Sequence, residues 1–65
     1  MDEREGRVVK AIEETGVSVD KVHRIWTEDD VDGVDCDVVL FVTPTKGAMT
    51  ARIWPTGEVV VDNGW

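Results

Sequence analysis

The spacing of the apolar residues changes at Gly16, and this change constrains the fold more than any other feature of the chain. Before this glycine, one helix face is formed at three- and four-residue intervals by Val8, Ala11, Ile12 and Thr15. After it, apolar and polar residues alternate at the two-residue interval of half-buried strands. We therefore expect one helix followed by strands, which is an α+β arrangement.

The predicted helix covers Glu3–Thr15. Asp2 is suited to cap its first turn, and Glu5 stands where a capping box places a carboxylate. Gly16 follows the last turn, where a left-handed residue commonly ends a helix. Because only one face of this helix is apolar, the helix must pack on another element.

The remaining segments are predicted to form an antiparallel meander of three or four strands. Turns rich in Pro and Gly separate Val22–Thr27, Val34–Thr43, Ala48–Trp54 and a short Val59–Val61. The whole chain, residues 1–65, is expected to fold as a single domain with the N-terminal helix packed on the sheet.

A helix of this length covers only one face of a small sheet, so the other face is expected to be partly exposed. In the first strand, alternation places Val22 with Trp26 and His23 with Ile25. The exposed patch is expected to draw on Trp26, Val39, Phe41, Trp54 and Val60. Such a patch is suited to a weak homodimer or to another partner.

Acidic residues are concentrated in the hairpin between the first two strands. The chain has fourteen acids, seven bases and a net charge of −7, and residues 27–65 hold eight of the acids and two of the bases. The hairpin acids, predicted to be almost unopposed by bases, are Glu28, Asp29, Asp30, Asp32, Asp35 and Asp37. Direct binding to nucleic acid or to an anionic membrane is not expected, since both select basic surfaces.

Three interpretations of this acidic hairpin compete. In the first interpretation, the hairpin is a solvated loop that keeps the protein soluble. In the second, it is a surface that binds a basic region of another protein. The third is a calcium loop, because Glu28, Asp30 and Asp32 precede Gly33 at suitable spacing. Val39 stands where that loop needs its closing glutamate, so we expect no metal and no cofactor.

The chain resembles the small acidic phage-encoded inhibitors that mimic DNA, including anti-CRISPR proteins. The resemblance rests on its size, its net charge and the acidic run from Glu28 to Asp37. This resemblance implies a stoichiometric inhibitor that blocks the DNA or PAM recognition site of a CRISPR effector, or of another DNA-binding protein, in the host-cell cytoplasm. Secondary candidates for partner binding are Glu13, Glu14 and Asp62, with Trp54 or Trp65 as an apolar anchor.

The alternative is a small regulatory or structural module that self-associates through its exposed sheet face. The order of a helix and then a meander is similar to PepSY-type domains, with a short loop after Ala11-Ile12-Glu13-Glu14-Thr15-Gly16 and a strand ending in Thr56-Gly57-Glu58-Val59. The composition, with Lys10, Lys21 and Lys46 as the only lysines, also suits a domain from a halophile. A halophilic origin predicts acids spread over every surface, and the charge concentrated at one hairpin fits that less well.

Catalysis is not expected. His23 is the sole histidine and Cys36 the sole cysteine, so they cannot make a zinc site or a disulfide. Cys36 alternates with Val34 and Val38 and is predicted to be a buried apolar side chain. With no apolar run long enough for a signal peptide or a membrane span, a soluble cytoplasmic protein is expected.

Overall fold

The structure, a computed structural model, describes residues 3–63. Its elements are α1 (Glu3–Glu13), β1 (Lys21–Asp29), β2 (Asp35–Thr43), β3 (Gly47–Ile53) and β4 (Val59–Asn63). The strands form one antiparallel sheet in the order β1-β2-β3-β4, with α1 on one face. The predicted α+β fold is confirmed, and the meander has four strands. The predicted cap Asp2 and the candidate anchor Trp65 lie outside the described residues.

Helix α1 ends at Glu13, two residues before the predicted end. The backbone N–H of Gly16 donates to the carbonyl of Glu13 at 3.0 Å, and Gly16 has a φ of +96°, so the chain turns there. Glu3 and Glu5 in the first turn and Lys10 in the last suit the helix dipole. Within residues 3–63, no helix is long and apolar enough to cross a membrane.

The core lies between α1 and one face of the sheet. Buried apolar side chains from the helix and the two central strands form it: Val8, Ile12, Val39, Phe41, Met49 and Ala51. Each large apolar side chain buried in this way stabilises the fold by about 1.5–3 kcal/mol. Val17 and Val19, in the connection between α1 and β1, pack against the same cluster and anchor that connection.

A β-bulge at His23 changes which residues of β1 face the helix. Val22 lies opposite Phe41, and Arg24 lies opposite Leu40, so one residue of β1 is extra. Val22 and Ile25 consequently both pack on the core, whereas Trp26 lies opposite Val38 on the other face. The prediction that Val22 and Trp26 share a face is therefore wrong, because the extra residue inverts the alternation.

The face opposite α1 is less exposed than predicted. Val39 and Phe41 are fully buried under the helix, so their predicted exposure is wrong. On the opposite face Val38 is 1% exposed, because it lies between Trp26 and Arg52 of the flanking strands, whose long side chains cover the sheet. Val60 is exposed as predicted, and Trp26 and Trp54 are half-buried.

Candidate functional site

The loop between β1 and β2 is organised by the side chain of Asp30. Its Oδ1 accepts the backbone N–H groups of Asp32 at 2.8 Å and of Val34 at 2.9 Å. The backbone N–H of Asp30 also donates to the carbonyl of Val34 at 2.9 Å. Gly33 supplies the left-handed residue, with a φ of +78°. Asp30 and Asp32 thus lie in a tight loop between β1 and β2.

Trp54 links this loop to the end of β3, on the other side of β2 from β1. Its indole Nε1 donates to Oδ2 of Asp30 at 2.8 Å, and the residue itself starts the turn between β3 and β4. The N–H of Val34 and the indole of Trp54 stabilise the Asp30 carboxylate and lower its pKa. Asp30 is therefore a structural residue of the loop, and Trp54 is its main tertiary partner.

Glu28 lies on the sheet face opposite α1 and belongs to a polar network there. It accepts hydrogen bonds from the indole of Trp26 and from Nη1 of Arg52, the latter at 3.2 Å. The indole first and Arg52 second lower the pKa of Glu28. The guanidinium of Arg24 lies 5.6 Å from the centroid of the Trp26 ring, within cation–π range.

Asp37 lies on the helix side of the sheet and is paired with two arginines of α1. Its Oδ1 is 2.7 Å from Nη2 of Arg4, and its Oδ2 is 3.5 Å from Nη2 of Arg7. Arg4 also donates to the hydroxyl of Thr27 at 2.8 Å. The first turns of α1 are thereby fixed to β1 and β2.

Asp29, Asp32 and Asp35, which we call the acidic tip, have a different environment. Asp29 and Asp35 face each other across the end of the β1–β2 ladder. A hydrogen bond with the Asp35 carboxyl, together with repulsion from its charge, raises the pKa of Asp29. Within residues 3–63, no Lys or Arg side chain forms an ion pair with these three residues.

The six hairpin acids therefore divide into two groups of three. Glu28 and Asp37 are paired with arginines, so the expectation that bases leave the hairpin almost unopposed is wrong for these two. Asp30 has no basic partner within residues 3–63, but its carboxylate is bound by N–H donors. The arginines that pair with Glu28 and Asp37 belong to α1 and β3. They are far from these acids in the sequence, so local patterns do not reveal the pairs. The acidic tip alone keeps unpaired charge at the position predicted from the sequence.

The secondary candidates are not brought to the acidic tip. Glu13 ends α1, nine residues after the Arg4 that contacts Asp37, which is about 14 Å along the helix. Glu14 follows it in the turn and is also exposed. Asp62 lies on β4, three strands away from β1 or about 14 Å at ordinary strand spacing.

The carboxylate central to the calcium interpretation is already occupied. Both oxygens of Asp30 accept hydrogen bonds, and Glu28 is a strand residue bonded to Trp26 and Arg52. In the part of the chain that the structure describes, no three His, Cys, Asp or Glu side chains come together as metal ligands. Cys36 is buried as predicted, and its thiol lies 3.3 Å from the carbonyl oxygen of Glu28.

A groove beside the acidic tip is not indicated by the sequence. It has a volume of about 500 Å³ and lies between α1 and the turn that follows β3. Its lining includes Val8, Ala11, Ile53, Trp54, Pro55 and Asp35. No local sequence signal points to this groove, because its walls come from the helix, three strands and a turn.

Comparisons with protein-family models, with curated proteins and with solved structures found no match for this chain. Its similarity to DNA-mimicking inhibitors therefore stays a prediction from the sequence. The function is inferred from the contacts and charges described above.

Proposed function

We propose that this chain is a stoichiometric inhibitor that binds, through its acidic tip, to the nucleic-acid-binding surface of another protein. One observation carries the proposal: Asp29, Asp32 and Asp35 lack a basic partner within residues 3–63, while Asp30 and Trp54 hold their loop in place. The unpaired carboxylates stand in for phosphates. Occupancy of the basic surface excludes the nucleic acid without catalysis.

The rigidity of the loop supports this function physically. A partner that binds a mobile loop loses part of the binding free energy in ordering it, whereas the hydrogen bonds of Asp30 have already ordered this one. The net charge of −7 adds long-range attraction to a basic surface and raises the association rate. The ordered loop favours a binding protein over a merely solubilising loop, whereas the net charge serves both.

Within this class, the target that we propose is a DNA-recognition or PAM-reading subunit of a CRISPR effector complex in the host cytoplasm. The resemblance to small acidic phage-encoded inhibitors motivates this choice. A surface that reads duplex DNA presents Lys and Arg at phosphate spacing, which matches a compact group of carboxylates. Other basic DNA-binding proteins present the same chemistry.

The experiment is a displacement assay with fluorescein-labelled DNA bound to purified CRISPR DNA-recognition subunits and to unrelated DNA-binding proteins. The chain should release the DNA at a one-to-one ratio from a member of the panel, seen as a fall in anisotropy. The triple variant Asp29→Asn, Asp32→Asn, Asp35→Asn should lose this activity with its amide NMR spectrum otherwise preserved. Release by the triple variant at the parent's concentration would contradict the proposal.

The alternative function is self-association through the sheet face opposite α1. This face exposes less apolar surface than the sequence predicts. Val38 is 1% and Leu40 9% exposed, so Val60 is the main exposed apolar residue of this face within residues 3–63. Sedimentation equilibrium separates the two functions. A tight dimer that survives the triple variant but dissociates with Val60→Asp would favour self-association.

A further inference from the structure

We infer that the groove between α1 and the β3–β4 turn binds an arginine side chain supplied by the partner protein. The groove joins apolar walls to one end of the acidic tip, and this combination matches an arginine better than a metal ion or a phosphate. The identity of the protein that supplies the arginine rests on the proposed function. The ability of the groove to bind a guanidinium does not depend on the proposed function.

The walls of the groove suit the aliphatic part of an arginine. Val8 and Ala11 line it from the helix, Ile53 lines it from the end of β3, and Pro55 lines it from the turn that follows. A volume of about 500 Å³ falls within the range of about 300–1,000 Å³ that is typical of small-ligand sites. Three methylene groups buried there would be removed from water, which favours binding.

The charges that line the groove favour a cation. Arg7 and Asp37 both line it and contact each other at 3.5 Å, so these two charges largely offset one another. Asp35 also lines the groove and has no basic partner within residues 3–63. Asp29 does not line the groove but faces Asp35 from β1. A guanidinium bound at Asp35 would relieve the repulsion between the two carboxylates and donate a charge-assisted hydrogen bond to each.

Arginine fits the groove beside Asp35 better than lysine does. Its planar fork donates to two acceptors at once, and Asp29 and Asp35 provide two acceptors on neighbouring strands. Trp54 lines the same groove and offers an aromatic ring on which a guanidinium packs favourably. A lysine ammonium supplies the positive charge, but it lacks both the paired, coplanar N–H donors and the flat group that packs on an aromatic ring.

The test uses the whole protein and N-acetylarginine amide, followed by NMR of the indole Nε1–H of Trp54 and of the methyl groups of Ala11 and Ile53. These signals should shift saturably, and N-acetylcitrulline amide, which has the same shape without the charge, should not produce the shift. Asp35→Asn should weaken binding by about fivefold, the scale of an exposed ion pair. The matched control Glu58→Gln, an exposed acid that does not line the groove, should bind as the parent does.

Equal shifts with the citrulline compound, or equal binding by Asp35→Asn, would overturn the inference. A second variant, Ala11→Leu, fills the groove with a good helix former and should abolish the methyl shifts of Ile53. Because the assay contains no partner, it is independent of the displacement experiment. Arginine binding without displacement of DNA would uphold the groove and reject the proposed inhibitor function.

Discussion

The indole Nε1 of Trp54 donates a hydrogen bond to Oδ2 of Asp30 at 2.8 Å, which joins the end of β3 to a loop 24 residues earlier in the chain. Through this bond the position of the acidic tip depends on the β3–β4 turn. Trp54, expected from the sequence to be an apolar anchor for a partner, is therefore also a support for the carboxylates themselves.

Replacing Trp54 by Phe keeps an aromatic ring but removes the donor. Because the bound carboxylate is stabilised by the Val34 N–H and by this indole, Trp54→Phe should raise the pKa of Asp30 towards its ordinary value. A carboxyl ¹³C NMR titration measures the pKa of Asp30 in both proteins. Trp26→Phe is the control: it should raise the pKa of Glu28 and leave that of Asp30 in place. An unchanged Asp30 pKa in Trp54→Phe would show that the indole bond contributes nothing.

Facing carboxylates at Asp29 and Asp35 should make the hairpin end less stable at neutral pH. The raised pKa of Asp29 means that the folded protein binds this proton more tightly than the unfolded chain does. The resulting destabilisation is full above the folded pKa and is relieved as the pH falls. Asp35→Asn should therefore raise Tm at pH 7, and the gain should disappear below about pH 4.

Thermal unfolding followed by circular dichroism across this pH range measures the effect. Asp62→Asn removes one exposed acid from β4, whose cross-strand neighbour is the uncharged Thr50. Its Tm should change less than that of Asp35→Asn at pH 7. A lower Tm for Asp35→Asn at pH 7 would show that the pair is stabilising, the opposite of the expected repulsion.

Gly33 should tolerate substitution poorly despite the open space around it. A Cβ added at this position would meet no heavy atom within 4 Å, but its φ of +78° is unfavourable for residues with a side chain. Gly33→Ala should cost about 1–2 kcal/mol in the free energy of unfolding, measured with urea. The matched variant Gly6→Ala, in α1 and equally open, should instead gain about 0.5–1 kcal/mol. Equal effects at the two sites would rule out the backbone explanation.

The thiol of Cys36 should be protected in the native protein. It is 2% exposed in the central strand β2 and contacts the carbonyl of Glu28. For a stability of about 3–10 kcal/mol, which is usual for 65 residues, reaction with a disulfide reagent should be at least about a hundredfold slower than in urea. Rapid labelling without denaturant would show that Arg52, whose Nη1 lies 3.9 Å from the thiol, does not shield Cys36.

Much of the fold is predictable from the sequence because it depends on local periodicity. The helix face of Val8 and Ile12 and the alternation in β2 both follow from spacing, and the structure confirms them. The bulge at His23 is not predictable in this way, since one extra residue leaves the composition of the strand unchanged. That single insertion accounts for the wrong orientation of Trp26.

The candidate site was only partly predictable for a different reason. Its acids are adjacent in sequence, but Arg4 and Asp37 are 33 residues apart, and no local pattern indicates that they pair. The role of Asp30 was more accessible, because an Asp three residues before a Gly is a common turn signal. Sequence therefore located the charge, and tertiary contacts decided which carboxylates remain unpaired.

Whether the acidic tip is the binding surface is tested most directly by comparing inhibition constants for two charge-matched triple variants in the DNA displacement assay. One neutralises Asp29, Asp32 and Asp35; the other neutralises the exposed Glu3, Asp20 and Glu58, with Gln for Glu and Asn for Asp in both. If the tip is the surface, the first variant loses inhibition and its remaining activity depends less steeply on salt, while the second inhibits nearly as the parent does. Equal loss in both variants would show that overall charge alone drives binding and would contradict a specific role for the tip.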